Sequence, residues 1–369
     1  MKKKLFHQLL SSEISTSQKT DRLFSLDLLK AMSIVAVVSF HSILVPKTTY
    51  IDSQLYVDIL FSPLRFCVPV FLVIYFFLFE KGLEKHNGCI LSLVQRRLVR
   101  ILIPTVFWFS FTALLKLINK SPLLEVFGGI LNGEIFTGGY YLLILLQFIP
   151  IFVILRHCFS KLINIFIIII IQSGVYTWIY AIHLSSQTEQ IISILKSIDR
   201  PLFIYWFVYI ALGIYCCKKW SSIVKLSSQL HIYVKAIILV SYSILQWVEA
   251  YYAFLVFKGN ITPFDYAMFS CLLSVLVMFI CFSSINENQL NPLFIKLVSI
   301  LSTYSLGIFC INGILYQILG SFSFSLFSDT NFNFPEIIIL KLVCCFLLLG
   351  ISMVLSVLLD RIGLRVVVR

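Results

Sequence analysis

The chain has 369 residues, of which 59% are hydrophobic, 15% aromatic and only 12% charged, and its mean hydropathy is +0.96. So little polar material cannot cover a soluble protein of this length, which excludes a secreted domain, a cytosolic enzyme and a disordered chain. The net charge of +12 is carried at the ends of apolar runs, where it reads as membrane topology and not as a nucleic-acid surface.

In chain order, residues 1–25 come first. MKKKLFHQLLSSEISTSQKTDRL lacks the apolar core of about 7–15 residues that a cleaved signal needs, so it reads as a polar cytoplasmic leader. Residues 26–369 read as one all-α membrane bundle. Apolar runs of roughly 17 residues or more can cross a bilayer as helices. Ten are predicted, at 27–45, 63–79, 101–118, 139–155, 162–184, 202–217, 231–257, 264–285, 299–319 and 337–359. With the N-terminus inside, the inner segments hold nineteen Lys and Arg and the outer ones six, among them Arg65. Lys30, Lys116, Lys235 and Lys341 lie within spans. This asymmetry predicts both termini in the cytoplasm and an even number of spans.

The longest outer loops are predicted at 119–138, 185–201 and 320–336. The last, SFSFSLFSDTNFNFPE, is aromatic and polar. It suits either an interfacial aromatic belt or the lining of a sugar site. The ten cysteines form no metal-ligand spacing, and most lie in apolar runs as small buried hydrophobes. No metal is expected.

Ionisable groups inside a span are costly, so each is a functional candidate. The first span, LDLLKAMSIVAVVSFHS, carries Asp27, Lys30 and His41. Lys30 and His41 are eleven residues apart, close to three helical turns, which puts them on one face roughly 16 Å apart along the axis. Asp27 can pair with Lys30 from one turn before it. His41 is either a general base acting on a hydroxyl or a core histidine bonded to a neighbouring helix. Lys30 either serves catalysis or snorkels to the inner headgroups.

Arg97 and Arg100 open the third span in QRRLVRILIP. At i and i+3 they share a face at the inner interface. There they either anchor topology or grip phosphates of a donor such as coenzyme A. Glu249, in the outer half of the seventh span, is a candidate for orienting a base or binding substrate hydroxyls. Glu80 and Glu84, at the inner end of the second span, are expected to be solvated.

These residues sit in stretches that resemble the acyltransferase-3 family of bacterial integral-membrane acyltransferases. RLFSLDLLKAMSIVAVVSFHS is similar to the family's first span, Asp-x-x-Arg followed by a His ten residues on. RRLVRILIPTVFW matches its Arg-x-x-Arg pair. VPVFLVIYFFLFEKG, GGYYLLILLQFIPIFVIL, YSLGIFCINGILYQIL and LSVLLDRIGLRVVV resemble its second, fourth, ninth and closing segments. The resemblance implies a multi-pass O-acyltransferase of the bacterial inner membrane, embedded in membrane lipids. Such an enzyme moves an acyl group, acetyl above all, from cytoplasmic acyl-CoA to a hydroxyl of a surface or lipid-linked glycan. It implies His41 as the catalytic histidine, Lys30 as a second catalytic residue on the same span, and Arg97 and Arg100 as the donor-binding pair.

The chain departs from the pattern at Lys30, where the family usually has Arg. It departs again at Tyr75 and Phe76, where Ser-Gly is usual and close helix approach is put in question. Asn312 stands where many relatives have His. Two other classes fit the same composition: an exporter of a glycan or lipid-linked intermediate, marked by interrupted spans and inverted repeats, and a lipid-phosphate glycosyltransferase, for which Asp52 and Asp58 would supply acids in the first outer loop.

Overall fold

The computed structural model describes residues 23–85, 90–184, 203–256 and 266–369. The predicted leader (but for its last residues) and the 185–201 loop lie outside them. Within them the fold is a helical bundle without strands. A helix occupies each of the ten predicted span positions: α1 (Phe24–Phe40), α3 (Cys67–Lys85), α4 (Ile90–Ile118), α6 (Tyr140–Leu155), α7 (Leu162–Leu184), α8 (Phe207–Lys218), α10 (Ile232–Val256), α11 (Phe269–Phe282), α13 (Ser305–Phe327) and α14 (Phe334–Arg361). Between them lie α2 (Gln54–Phe61), α5 (Leu123–Leu131), α9 (Trp220–Gln229), α12 (Pro292–Thr303) and α15 (Arg365–Val368).

Length separates these helices. Six stretches are long and apolar enough to cross a membrane: Lys47–Lys85, Ile90–Ile118, Leu162–Ala181, Ile232–Val256, Ser305–Phe327 and Phe334–Arg361. The bent pair α8–α9 makes a seventh if counted as one span. The others fall short of the roughly 20 residues that a bilayer core asks for. The pair bends by 81°, and α9 keeps Trp220, Ile223 and the buried Ser227 toward the core with Ser221, Ser222, Lys225 and Ser228 exposed, the pattern of an interfacial helix.

Two predicted loops contain helix. Residues 119–138 contain α5, and 320–336 continue α13 to Phe327 before α14 begins. The start of α14 is fixed by a capping box: Asn333 Oδ1 accepts from the Glu336 N–H at 3.1 Å, and Glu336 Oε2 accepts from the Asn333 N–H at 2.9 Å.

Apolar burial drives helix association weakly in lipid, so shape and buried polar contacts carry the packing. Phenylalanines fill the contact of α3 with α6: Phe79 stacks on Phe152 at 4.4 Å between ring centroids, and Phe76 on the same ring at 5.5 Å. The close helix approach that Tyr75 and Phe76 put in question is present, and α8 supplies the small residue. A Cβ on Gly213 would lie 2.7 Å from Phe76 Cβ and 2.9 Å from the Val73 carbonyl oxygen. The turn before α6 uses Gly138 at φ +93°, a conformation that L side chains rarely adopt. Here a methyl on Gly313 of α13 would strike the Thr137 carbonyl.

Glu80 corrects an expectation. It is fully buried, and Oε1 pairs with Arg156 at 3.1 Å and Lys218 at 3.6 Å. It thereby ties α3 to the end of α6 and the end of α8. Glu84 is exposed as expected. After α14 the chain turns back, and α15 docks in the bundle with the Trp108 Nε1–H donating to the Val367 carbonyl at 2.9 Å.

Candidate active site

His41 ends α1. Its backbone N–H donates to the Val38 carbonyl at 3.1 Å, so the ring's starting direction is set by the last helical turn. The half-buried ring lies 5.4 Å from the ring of Tyr316 on α13, tilted by 57°. Tyr316 borders a cavity of about 940 Å³. The ends of α1 and α4, the short α2 and the second half of α13 wall it. Its polar lining includes Tyr50, Asp58, Lys116, Asn119, Gln317 and Ser321, and its aromatic lining Phe40 and Phe324. The stretch 320–336, read as loop, reaches this cavity as helix through Gly320, Ser321 and Phe324.

The chain beyond His41 is fastened on several sides. Ser323 Oγ donates to the Leu44 carbonyl, and the Phe332 N–H donates to the Thr49 carbonyl at 2.7 Å. Arg65, counted with the outer loop charges, is 4% exposed and stands 5.3 Å from the Phe40 ring centroid. His41 is itself outside the lining, which includes Phe40 before it, Ile43 after it and Tyr316 against its ring. A histidine held so near a polar cavity can exchange a proton with a bound hydroxyl only by turning toward it or through Tyr316.

Lys30 lies on α1 itself, roughly 16 Å below His41 along the axis. The two therefore share a helix but cannot touch one reacting atom. Asp27, expected to pair with Lys30, accepts a hydrogen bond from Ser302 Oγ of α12, which anchors the start of α1. Between the two levels the bundle holds bare polarity. Asn312 and Ser33 are fully buried, and neither Asn312 amide atom nor Ser33 Oγ has a hydrogen-bond partner among the described residues. Asn312 and Tyr316 are at i and i+4 and share one face of α13.

A family model described as an acyltransferase domain matches residues 23–359, from the first residue before α1 almost to the end of α14. The chain belongs to the acyltransferase-3 family. It is a membrane acyltransferase acting on groups other than aminoacyl. No curated protein and no solved structure matches it.

The other candidates in this acyltransferase lie apart from His41. Arg97 and Arg100 are near the start of α4, while Leu115 and Lys116 of the same helix line the cavity. From Arg97 to Leu115 is roughly 27 Å of helix, most of a bilayer core. The two arginines also differ from each other. Arg97 is half-buried, donates to the Leu78 carbonyl of α3 at 3.2 Å and covers the Phe79 ring. Arg100 is exposed. Both act electrostatically on the buried Tyr75 hydroxyl, which has no hydrogen-bond partner among the described residues.

Glu249 is occupied at a helix start. Its carboxylate accepts from the backbone N–H groups of Phe269 and Ser270 at 2.7 and 2.8 Å, and from the Ser270 hydroxyl. That caps α11 and satisfies donors the helix cannot. It does not line the cavity. Asp58, weighed only as a mark of another enzyme class, does line it. Its sequence signal was an acid in the first outer segment, without a partner to give it a role.

Proposed function

We propose that this acyltransferase lies in a bacterial plasma membrane with both termini cytoplasmic, and that α1, α6, α8 and α11, each shorter than a full crossing, complete ten spans with the six long ones. In this reading it transfers an acyl group, acetyl in the simplest case, from acyl-CoA to a hydroxyl of a surface or lipid-linked glycan. The observation that carries the reading is the His41 ring 5.4 Å from that of Tyr316, a residue that lines the 940 Å³ cavity. That volume and its mix of hydroxyl, amide, carboxylate and aromatic groups suit sugar rings.

His41, neutral, takes the proton of the acceptor hydroxyl as its oxygen attacks the thioester carbonyl. The tetrahedral intermediate collapses, the C–S bond breaks, and the departing coenzyme A thiolate receives the proton from the imidazolium. Arg100 and Arg97 hold donor phosphates at the opposite end of α4. Lys30 serves the donor's arm and not the reacting carbonyl, since it lies three turns from His41. The exporter reading, marked by interrupted spans and inverted repeats, would rest on the bent α8–α9 pair alone, and α9 with its exposed serines and Lys225 suits an interfacial helix as well.

The test is mass spectrometry of surface glycans from cells with and without this gene. The reading expects a difference of one acyl group on some sugar units. Identical glycan masses in both, with the protein present in the membrane, would overturn it.

A further inference from the structure

Lys341 stands two turns into α14 and is 2% exposed. In the sequence it is one of four lysines within spans. A buried ammonium is costly unless its donors are used. Here they are used on the turn that carries His41. Nζ donates to the Ser39 carbonyl and to Ser42 Oγ, the latter at 3.3 Å. Ser42 Oγ in turn donates to the Ser39 carbonyl at 2.7 Å. The ammonium also lies 4.4 Å from the centroid of the Phe61 ring of α2, and Asp58 of the same helix is close enough to act on it electrostatically.

Ser39 and Ser42 bracket His41. The Ser39 carbonyl, in the last turn of α1, also accepts from the Ser42 N–H at 3.4 Å, and that end of the helix carries partial negative charge. A cation there completes the helix and fixes its final turn. The same ammonium touches α2, which contributes Asp58 to the cavity wall. One side chain from α14 thus ties the end of α1 to the wall opposite.

We infer that Lys341 is a positioning residue for the acyl transfer: it clasps the last turn of α1 on both sides of His41 and so aims the imidazole at the cavity. The inference rests on His41 being the general base, but the clasp itself can be read without turnover.

The experiment uses the full chain in detergent and compares Lys341→Met, which keeps length and loses the cation, with Lys341→Arg, which keeps the cation. The first readout is the rate of diethyl pyrocarbonate modification of each histidine, followed by peptide mass spectrometry. Lys341→Met should change the rate at His41 at least threefold, leave the exposed His157 and His231 unchanged, and be returned toward the native rate by Lys341→Arg. The second is glycan acylation in cells, which should fall at least tenfold in Lys341→Met and recover in part in Lys341→Arg. An unchanged His41 rate, or an equal change at all three histidines, overturns the inference. Should Lys341→Met fail to accumulate, Ser42→Ala removes one leg of the clasp and is read the same way. If His41→Ala keeps full acylation, the catalytic reading falls while the reactivity result still decides the clasp.

Discussion

The two ends of the bundle solve opposite problems. At the His41 end, polar groups from the 47–50 segment, α2, α4 and α13 are arranged around open space, and the cations Lys341 and Arg65 are buried near it. At the Arg97 end the charges close up. Glu80 takes Arg156 and Lys218 into a buried cluster, Arg97 spends a donor on the Leu78 carbonyl, and stacked phenylalanines fill the rest. The same residue types therefore build a chamber at one end and a clamp at the other. A charge at a span end is informative only once its partner is known.

The sharpest way to break this contrast is His41→Ala. If the chamber is the reaction site, acylation should fall by the ~10²–10⁴-fold that proton transfer supplies, with normal membrane levels; glycan mass spectrometry reads the loss. Retention of full acylation would remove the chemistry from this end.

At the clamp the prediction concerns stability. Glu80→Ala leaves Arg156 and Lys218, 13% and 23% exposed, without their shared carboxylate, and losing a charge-assisted hydrogen bond costs about 1.5–3 kcal/mol. The variant should melt at a clearly lower temperature in detergent. A melting curve superimposable on the parent's would mean that the cluster is not a clamp.

A smaller and more selective effect is expected between the two arginines. Each lost charge-assisted hydrogen bond to a phosphate should cost about 1.5–3 kcal/mol of donor binding. Arg100→Ala should weaken acyl-CoA binding and leave melting unchanged, because Arg100 is exposed. Arg97→Ala should weaken binding and lower the melting temperature, because its guanidinium also bridges to α3. Binding by calorimetry and melting by fluorescence separate the two. Unchanged affinity in the double variant would return the pair to marking topology.

Helix positions were legible in the sequence because a bilayer demands long apolar runs, and few alternatives satisfy that demand. Boundaries were less so. α4 starts at Ile90, eleven residues before its apolar run, since a helix continues through Gln95, Arg96 and Arg97 once it has left the lipid. α13 continues through SFSFSLF, where alternating serine hides helical continuity. Partners were the least legible. Glu80 looked solvated because Arg156 and Lys218 are 76 and 138 residues away in sequence. Glu249 looked like a substrate ligand because nothing in its own span reveals that α11 begins against it. Lys341 was visible as a lysine two turns inside a 28-residue apolar helix, a signal strong enough to flag it but silent on the turn it grips.

Asn312 has a practical consequence. Among the described residues neither its donor nor its acceptor has a partner; each buried group left unmade costs about 1–3 kcal/mol, and a leucine of similar volume carries no such cost. Selection for heat tolerance alone, as in preparing a membrane protein for purification, should therefore favour apolar replacements at this position. Those variants should be sturdier and poorer catalysts, because the strip of α13 they smooth over is the one that presents Tyr316 to His41. Measuring melting temperature and glycan acylation together on Asn312→Leu would show whether this enzyme keeps a buried, unbonded amide for the sake of turnover.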